Sequence, residues 1–390
     1  MSVGVIGLGN LGAKLAIKLK RDRDIFVHSN DRESLYSFIR QNQDISGFMD
    51  IDKMLSKMER PRVILTAFPT GLESRDAIVT LARRLGPIDT VIDCSADHYE
   101  GAVFRSDYCE ANCTQYIGLG ISNDCIMIGG PKKVYVENKN LINKLASNVV
   151  YIGSNPDDGH FTNMVHNGVE YSILQGVADV FSYCNNDQDV MKIFLEQTKN
   201  SDIHGFITKY CHDIMSAKNI YDICDLPEVK NTGLRCCEIS LRNNIPIPTI
   251  NAALNTRCTN RYIKSTHSSE NLNNFIDIEL AVGALRFVYA MSIIEGFHLM
   301  NTRNIDRRIV IDAWSNGTRI ECSLLKDRDP YVASDESVMF AREFVMKCIK
   351  QNIPCPVVQA ALVHYDFIHQ TKNSMSLITA YFENPSLDIV

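Results

Sequence analysis

Within the run Gly159-His160-Phe161-Thr162-Asn163-Met164-Val165-His166-Asn167-Gly168-Val169-Glu170-Tyr171, four polar side chains recur at 163, 166, 167 and 170. On an α-helix, offsets of 0, 3, 4 and 7 put all four on one face. That face offers two amides to hold hydroxyls, and an imidazole and a carboxylate able to exchange protons. An active site needs such a face. A hydrogen-bonded polar seam between domains has the same spacing, and spacing alone leaves both readings open.

A second chemical signal lies at the start of the chain. Gly7-Leu8-Gly9-Asn10-Leu11-Gly12 follows the apolar run Val3–Ile6 directly and opens a helical pattern. In a dinucleotide site the first glycine permits the tight turn and the second lets backbone approach a pyrophosphate. The third lets helix and sheet pack closely, with the pyrophosphate against the helix N-terminus. The competing reading is a purely structural turn. The next apolar run ends in Ser29-Asn30-Asp31-Arg32, about twenty residues beyond the loop, where an acid can bond both ribose hydroxyls. Asp31 there disfavours a 2′-phosphate and Arg32 favours one, so NAD and NADP both stay open. Asp31 is equally suited to cap the following helix.

The elements that must position these groups fall into two halves. Up to residue 153, strands are expected at Val3–Ile6, Ile25–His28, Val63–Ala67, Thr90–Asp93, Gln115–Gly118 and Cys125–Ile128. Helices are expected between them at Asn10–Lys20, Arg32–Arg40, Leu72–Leu85, Asp97–Glu110 and Pro131–Ala146. This alternation implies a parallel, doubly wound sheet of Rossmann type. Beyond the Asn155–Gly159 turn cluster, helical periodicity dominates around 160–185, 202–217, 270–301, 336–352 and 356–372. The expected architecture is therefore an α/β dinucleotide-binding domain, residues 1–153, followed by an all-α domain, residues 154–390. Ser265–Asn274 is polar and reads as a loop within the second half.

Composition narrows the function classes. The 390 residues are 45% hydrophobic and 22% charged, with a net charge of −6. That is ordinary globular composition, and 390 residues suit two domains. Net acidity without a Lys/Arg run argues against nucleic acid as a partner. No uninterrupted apolar stretch reaches the ~20 residues of a membrane span. The N-terminus lacks the basic region of a signal peptide, so a cytoplasmic location is expected. The thirteen cysteines are scattered without paired two-residue spacing. They are expected to be buried reduced thiols, with no metal site.

The run Met164-Val165-His166-Asn167-Gly168-Val169-Glu170-Tyr171 resembles the signature of the 6-phosphogluconate dehydrogenase family. The resemblance extends along nearly the whole chain. It takes in the glycine loop, Thr90–Asp93 with Tyr99, Gly118–Ser122, Lys230-Asn231-Thr232-Gly233, Ala253 to Cys258, Glu295-Gly296-Phe297, Trp314 and Tyr365-Asp366. It implies NADP-dependent oxidative decarboxylation of 6-phosphogluconate to ribulose 5-phosphate. In that reaction a lysine takes the 3-hydroxyl proton while hydride leaves C3, carbon dioxide departs, and a glutamate protonates the enediol. By position, Glu170 matches the glutamate. Ser122, His166 and Asn167 match substrate-binding groups, and Tyr171, Lys230, Thr232 and Arg257 match the residues holding the substrate phosphate. Two cations and two hydroxyls suit a dianion, although Lys230 and Arg257 would also pass as ordinary surface charges. A homodimer through the helical half is implied as well.

The same resemblance exposes departures. The catalytic lysine aligns with Asn163, and an amide accepts no proton near neutrality. Asp-Gly-Gly-Asn-Ser of the family reads Asp93-Cys94-Ser95-Ala96-Asp97, and its Ser-Gly-Gly loop reads Ser122-Asn123-Asp124 with following residues missing. Asp124 is expected to bring negative charge towards an anionic substrate. The arginine for the 2′-phosphate aligns with Asp31. The family's C-terminal arginine and histidine have no counterpart beyond Tyr381-Phe382, so a weaker dimer is expected. Three functions are compatible with this pattern: a slow decarboxylating dehydrogenase, a non-catalytic nucleotide or sugar-phosphate binder, and an enzyme for another β-hydroxy acid. The last also expects a lysine at 163.

Overall fold

The computed structural model describes residues 2–21, 24–68, 72–95, 98–217, 231–259, 276–326 and 335–369, with backbone alone at 72–75, 217, 231–232 and 335. Ala96, Asp97, Lys230 and the stretch Ser265–Asn274 lie outside the described residues, as does the side chain of Thr232.

Short β-branched runs form the first half. Eight strands, β1 (Ser2–Ile6), β2 (Ile25–His28), β3 (Ile45–Phe48), β4 (Arg62–Thr66), β5 (Thr90–Asp93), β6 (Gln115–Ser122), β7 (Cys125–Gly129) and β8 (Asn148–Gly153), form one sheet. Their order is β3-β2-β1-β4-β5-β6-β7-β8. All neighbours run parallel except β6 and β7, a tight hairpin pairing Ser122 with Cys125. Six helices connect them: α1 (Asn10–Leu19), α2 (Arg32–Gln41), α3 (Ile51–Lys57), α4 (Leu72–Ala82), α5 (Tyr99–Ala111) and α6 (Lys132–Ile142). The central strands are buried on both faces, as a covered parallel sheet requires. The parallel Rossmann reading holds, and the sheet exceeds it: β3, β8 and the antiparallel step were not anticipated.

The second half is helical: α7 (Asp158–Tyr183), α8 (Gln188–Gln197), α9 (Phe206–Ala217), α10 (Asn231–Arg242), α11 (Pro248–Thr259), α12 (Ile278–Met300), α13 (Arg307–Trp314), α14 (Ser323–Lys326), α15 (Asp335–Lys350) and α16 (Pro356–His369). At its centre, α12 is apolar on every side and packs on α7, α15 and α16. Among the described residues α12 is the one helix long and apolar enough to cross a membrane, yet 89% of its apolar window is buried inside the protein. Glu279, Arg286 and Glu295 interrupt its apolar run.

Buried carboxylates cap two helices in this core. Glu295 accepts from Thr249 N–H at 2.9 Å and Ile250 N–H at 3.0 Å, so it closes the first turn of α11. Asp179 does the same for α16 through Val357 N–H at 2.9 Å, and burial pushes its carboxyl up to about 7. Two orphan amides are satisfied at each helix start. The twelve described cysteines are all unpaired thiols. Most are buried as expected, but Cys113 and Cys258 are exposed.

Candidate active site

The glycine loop has a shape that suits an anion. Gly7 adopts φ +95°, and a Cβ there would lie 2.6 Å from Ala67 O. A Cβ at Gly12 would lie 1.8 Å from Gly7 O, so helix and turn touch through backbone. At Gly9 a Cβ would meet nothing within 4 Å. Gly9 precedes α1 without a side-chain cap, and the first turn holds no acidic residue. Uncapped N–H groups at an open backbone are what a pyrophosphate uses. Leu8 and Leu11 pack on the sheet core, while Gly9 and Asn10 are exposed. The residues therefore fit a dinucleotide.

At the end of β2, Asp31 caps α2. Its carboxylate accepts Glu33 N–H at 3.1 Å and the Ser34 hydroxyl, and the latter bond most strongly holds the carboxyl below its usual range. Asn30, Asp31 and Arg32 are all exposed, and Arg32 lies over the Tyr36 ring at 5.5 Å.

The opening of α7 lies along β6. A Cβ on Gly120 would come within 2.1 Å of Gly159 O and 2.6 Å of Asn163 Cβ, so only glycine allows this approach. Gly118 faces Pro156 and His160 in the same way. The helix thus runs with the strand towards the carboxyl edge of the sheet, where β1, β4 and β5 also end and where doubly wound folds place ligands. At that edge, Ser122 Oγ lies 3.3 Å from His166 Nε2, and His166 Nδ1 lies 3.2 Å from Asn167 Oδ1. With Nδ1–H donating to the amide oxygen, Nε2 is left to accept the serine hydroxyl. Burial lowers the proton affinity of His166, and Arg319 adds to this against Glu170 and Asn167.

The remaining predicted residues continue this face. Asn163 is half-buried, and its Oδ1 is a buried acceptor with no partner. Glu170, 9% exposed, accepts Arg319 Nη1–H at 3.0 Å. Tyr171 is buried, with the Arg257 guanidinium 3.9 Å above its ring. The structure therefore brings together Ser122, Asn163, His166, Asn167 and Glu170, with Tyr171 and Arg257 adjoining. The Trp314 ring stands edge-on to His166, with centroids 6.3 Å apart.

One expectation is corrected. Asp124 does not aim its charge at the site: Lys18 Nζ of α1 sits 3.1 Å from its Oδ1, and Ser147 N–H donates to Oδ2 at 3.3 Å. The β6–β7 hairpin turns in two residues, with Asn123 at φ 51°, and this turns Asp124 away towards α1. Two groups escaped the sequence reading. Arg319 is one, distant in sequence from its partner. The other is a fully buried ion pair: Arg105 Nε donates to Asp93 Oδ2 at 2.6 Å beneath the site. Tyr116 OH at 2.7 Å joins it, and Thr66 and Ser95 bond the other oxygen. An Asp at the end of a central strand with nothing charged beside it in sequence was the available signal.

Comparison with known proteins matches residues 2–153 to the NAD binding domain of 6-phosphogluconate dehydrogenase and residues 159–383 to its C-terminal domain. The chain belongs to the 6-phosphogluconate dehydrogenase family. It is 27% identical over 285 residues to the NAD(+)-dependent, decarboxylating 6-phosphogluconate dehydrogenase of Bacillus subtilis, matching 66% of this chain and spanning 60% of that protein's length. Identity to the decarboxylating 6-phosphogluconate dehydrogenase of Buchnera aphidicola is 24% over 445 residues, 97% of this chain and 94% of the other. The Plasmodium falciparum 6-phosphogluconate dehydrogenase, solved apo and with NADP+ or 6-phosphogluconate, shares the fold at TM-score 0.84 and 19% identity, covering 97% and 95% of the two chains. In this family the N-terminal half binds a nicotinamide dinucleotide.

Proposed function

We propose that this chain binds a nicotinamide dinucleotide and a phosphorylated sugar acid as its family does, and turns over 6-phosphogluconate poorly or not at all. Residues 1–153 carry the dinucleotide through Gly7–Gly12, and residues 154–390 carry the sugar phosphate on the face of α7. NADP is the dinucleotide the family implies; Asp31 favours NAD. The bound dinucleotide supplies the hydride acceptor. Ser122, His166 and Asn167 orient hydroxyls, and Tyr171 and Arg257 hold the phosphate end, together with Lys230 and Thr232 by family position. The same reading has a homodimer in the cytoplasm.

Asn163 carries the proposal. It stands beside Gly120, at the position the resemblance gives to the catalytic lysine, and its amide, with Oδ1 buried and unpartnered, cannot take a proton near neutrality. A lost general base costs roughly 10²–10⁴ in rate, about 3–5 kcal/mol of barrier. A second reading, a non-catalytic binder in a sensing or interaction role, draws support from the Arg319 guanidinium on Glu170 Oε1, the atom that should serve as acid. The test is NADP and NAD reduction with 6-phosphogluconate by wild type and Asn163→Lys. We expect wild-type turnover at least about a hundredfold below an ordinary enzyme of the family, with a gain in the variant. Wild-type turnover within about tenfold of ordinary overturns the proposal.

A further inference from the structure

Arg319 sits in the turn after α13, 149 positions from Glu170. The backbone of this turn is pinned from several sides. Thr318 Oγ1 donates to Trp314 O at 2.6 Å, Gly317 N–H donates to Glu321 Oε2 at 2.7 Å, and Ile320 is buried. The turn also abuts the β6–β7 hairpin, where Asp124 N–H donates to Gly317 O at 2.9 Å. The Arg319 side chain is 52% exposed, against 9% for that of its partner Glu170. A fixed backbone thus carries an accessible cationic head at the mouth of the polar face.

The contact itself is incomplete. A guanidinium offers five N–H donors in a fork matched to two carboxylate oxygens. Arg319 spends one, Nη1, on one oxygen of Glu170. A half-exposed, single-bond ion pair is weak, so a carboxylate that engages the fork with both oxygens takes the guanidinium at little cost. Glu170 follows His166 and Asn167 by one helical turn, so an anion seated on those residues reaches Arg319 without entering the core. Beside Glu170, Tyr171 and Arg257 mark a second cationic point. A ligand bearing an anion at each end fits the pair.

We propose that Arg319 binds the carboxylate of the sugar acid, and that Glu170 occupies the guanidinium until the ligand's carboxylate displaces it. This rests on the sugar-acid reading of the site given above and adds a residue to it. Displacement has two consequences. The ligand is read at both ends, carboxylate at Arg319 and phosphate near Arg257, so a sugar phosphate without an acid group is discriminated against. The ion pair also stabilises the intact carboxylate, so the site holds the acid without promoting loss of carbon dioxide. His166 lies within the field of both charges, Glu170 raising its proton affinity and Arg319 lowering it.

Isothermal titration calorimetry of the full chain tests this with two ligands. One is 6-phosphogluconate; the other is glucitol 6-phosphate, with a hydroxymethyl group in place of the carboxylate. Arg319→Gln is expected to weaken 6-phosphogluconate about tenfold or more while leaving glucitol 6-phosphate within about twofold. Glu170→Gln is expected to tighten 6-phosphogluconate by roughly threefold, because the competing carboxylate is gone. A merely structural Arg319 lowers both ligands alike, and that result overturns the proposal. So do unchanged 6-phosphogluconate affinity in Arg319→Gln, weaker binding in Glu170→Gln, and a wild type that prefers glucitol 6-phosphate. A wild type that binds neither ligand overturns the sugar-acid reading itself, and this proposal with it.

Discussion

Ser122 Oγ, at the last residue of β6, and His166 Nε2, on the third turn of α7, stand 3.3 Å apart and join the sheet to the helical half. The pair exists because the glycines of β6 let the helix lie against the strand, so one register places both groups at the carboxyl edge. Both residues are buried. The hydroxyl thus has a stake in stability as well as in the ligand binding proposed for it.

Ser122→Ala leaves Nε2 buried without a partner, at an expected cost of about 1–3 kcal/mol. The imidazole itself makes the fold sensitive to acid. Burial lowers its proton affinity below the usual 6.5, so between those values the unfolded chain binds a proton that the folded chain refuses. Stability from this group is complete above 6.5 and declines as pH falls below it. Urea midpoints at about pH 7.5 and about pH 5.5 should drop more in wild type than in His166→Gln. Equal drops would show that His166 does not govern this window.

The glycine loop separates ligand binding from folding. At Gly9 a methyl group meets nothing, whereas at Gly12 it drives into Gly7 O. Gly9→Ala is expected to keep stability within about 1 kcal/mol, since only the helix cap changes. It should still weaken a nicotinamide dinucleotide about tenfold, by blocking close backbone approach. Gly12→Ala is expected to cost about 3 kcal/mol through overpacking. Thermal melts with and without dinucleotide read both effects. A Gly9→Ala protein with undiminished affinity would make the loop a structural turn only.

Much of this was legible in the sequence because the signals are local. The Gly7–Gly12 spacing and the offsets at Asn163, His166, Asn167 and Glu170 each lie within a few turns of chain, and α1 and α7 form as expected. What escaped depends on distance or on weak patterning. The strand β3, Ile-Ser-Gly-Phe, is too short and too mixed to alternate clearly. The partners Arg319 and Arg105 give no sign in the sequence of which carboxylate they meet, and only the fold supplies that. Helices α8, α11 and α13 did carry usable boundary signals: Asp187 and Asp306 at the caps and Pro248 at the first helical position. The destination of Asp124 turned on a two-residue hairpin, whose shortness was visible but whose direction was not.

On the proposed reading, the end of β2 sets the dinucleotide preference. Asp31→Asn keeps an acceptor for the α2 cap, because asparagine caps helices as well as aspartate does. It removes the charge that repels a 2′-phosphate, so the affinity ratio of NADP to NAD should rise about tenfold. Arg32→Ala should move the ratio the other way. Fluorescence titration of each reduced dinucleotide measures it. An unchanged ratio in Asp31→Asn would leave that residue the role of helix cap alone.

The buried pair beneath the site sets an acid limit on stability. Burial opposes charge on Asp93, but Arg105, His160, the Tyr116 hydroxyl and Ser95 N–H outweigh it and hold the carboxyl at about 2, from an ordinary 3.8. The unfolded chain therefore binds a proton first as pH falls. Stability from this group is complete above 3.8 and is lost towards about 2, roughly 2 kcal/mol in all. Asp93→Asn removes the charge that Arg105 requires while both positions stay fully buried. Leaving a guanidinium uncompensated is expected to cost about 3–5 kcal/mol at neutral pH. The variant should then show a flatter acid dependence than wild type between about pH 4 and about pH 2. Guanidinium chloride midpoints across that range measure both effects. Because the Ser95 N–H bonds to Asp93 directly after β5, the same variant should also loosen the turn at the carboxyl edge of the sheet. A variant with wild-type stability at neutral pH would show that the pair is not the anchor its geometry describes.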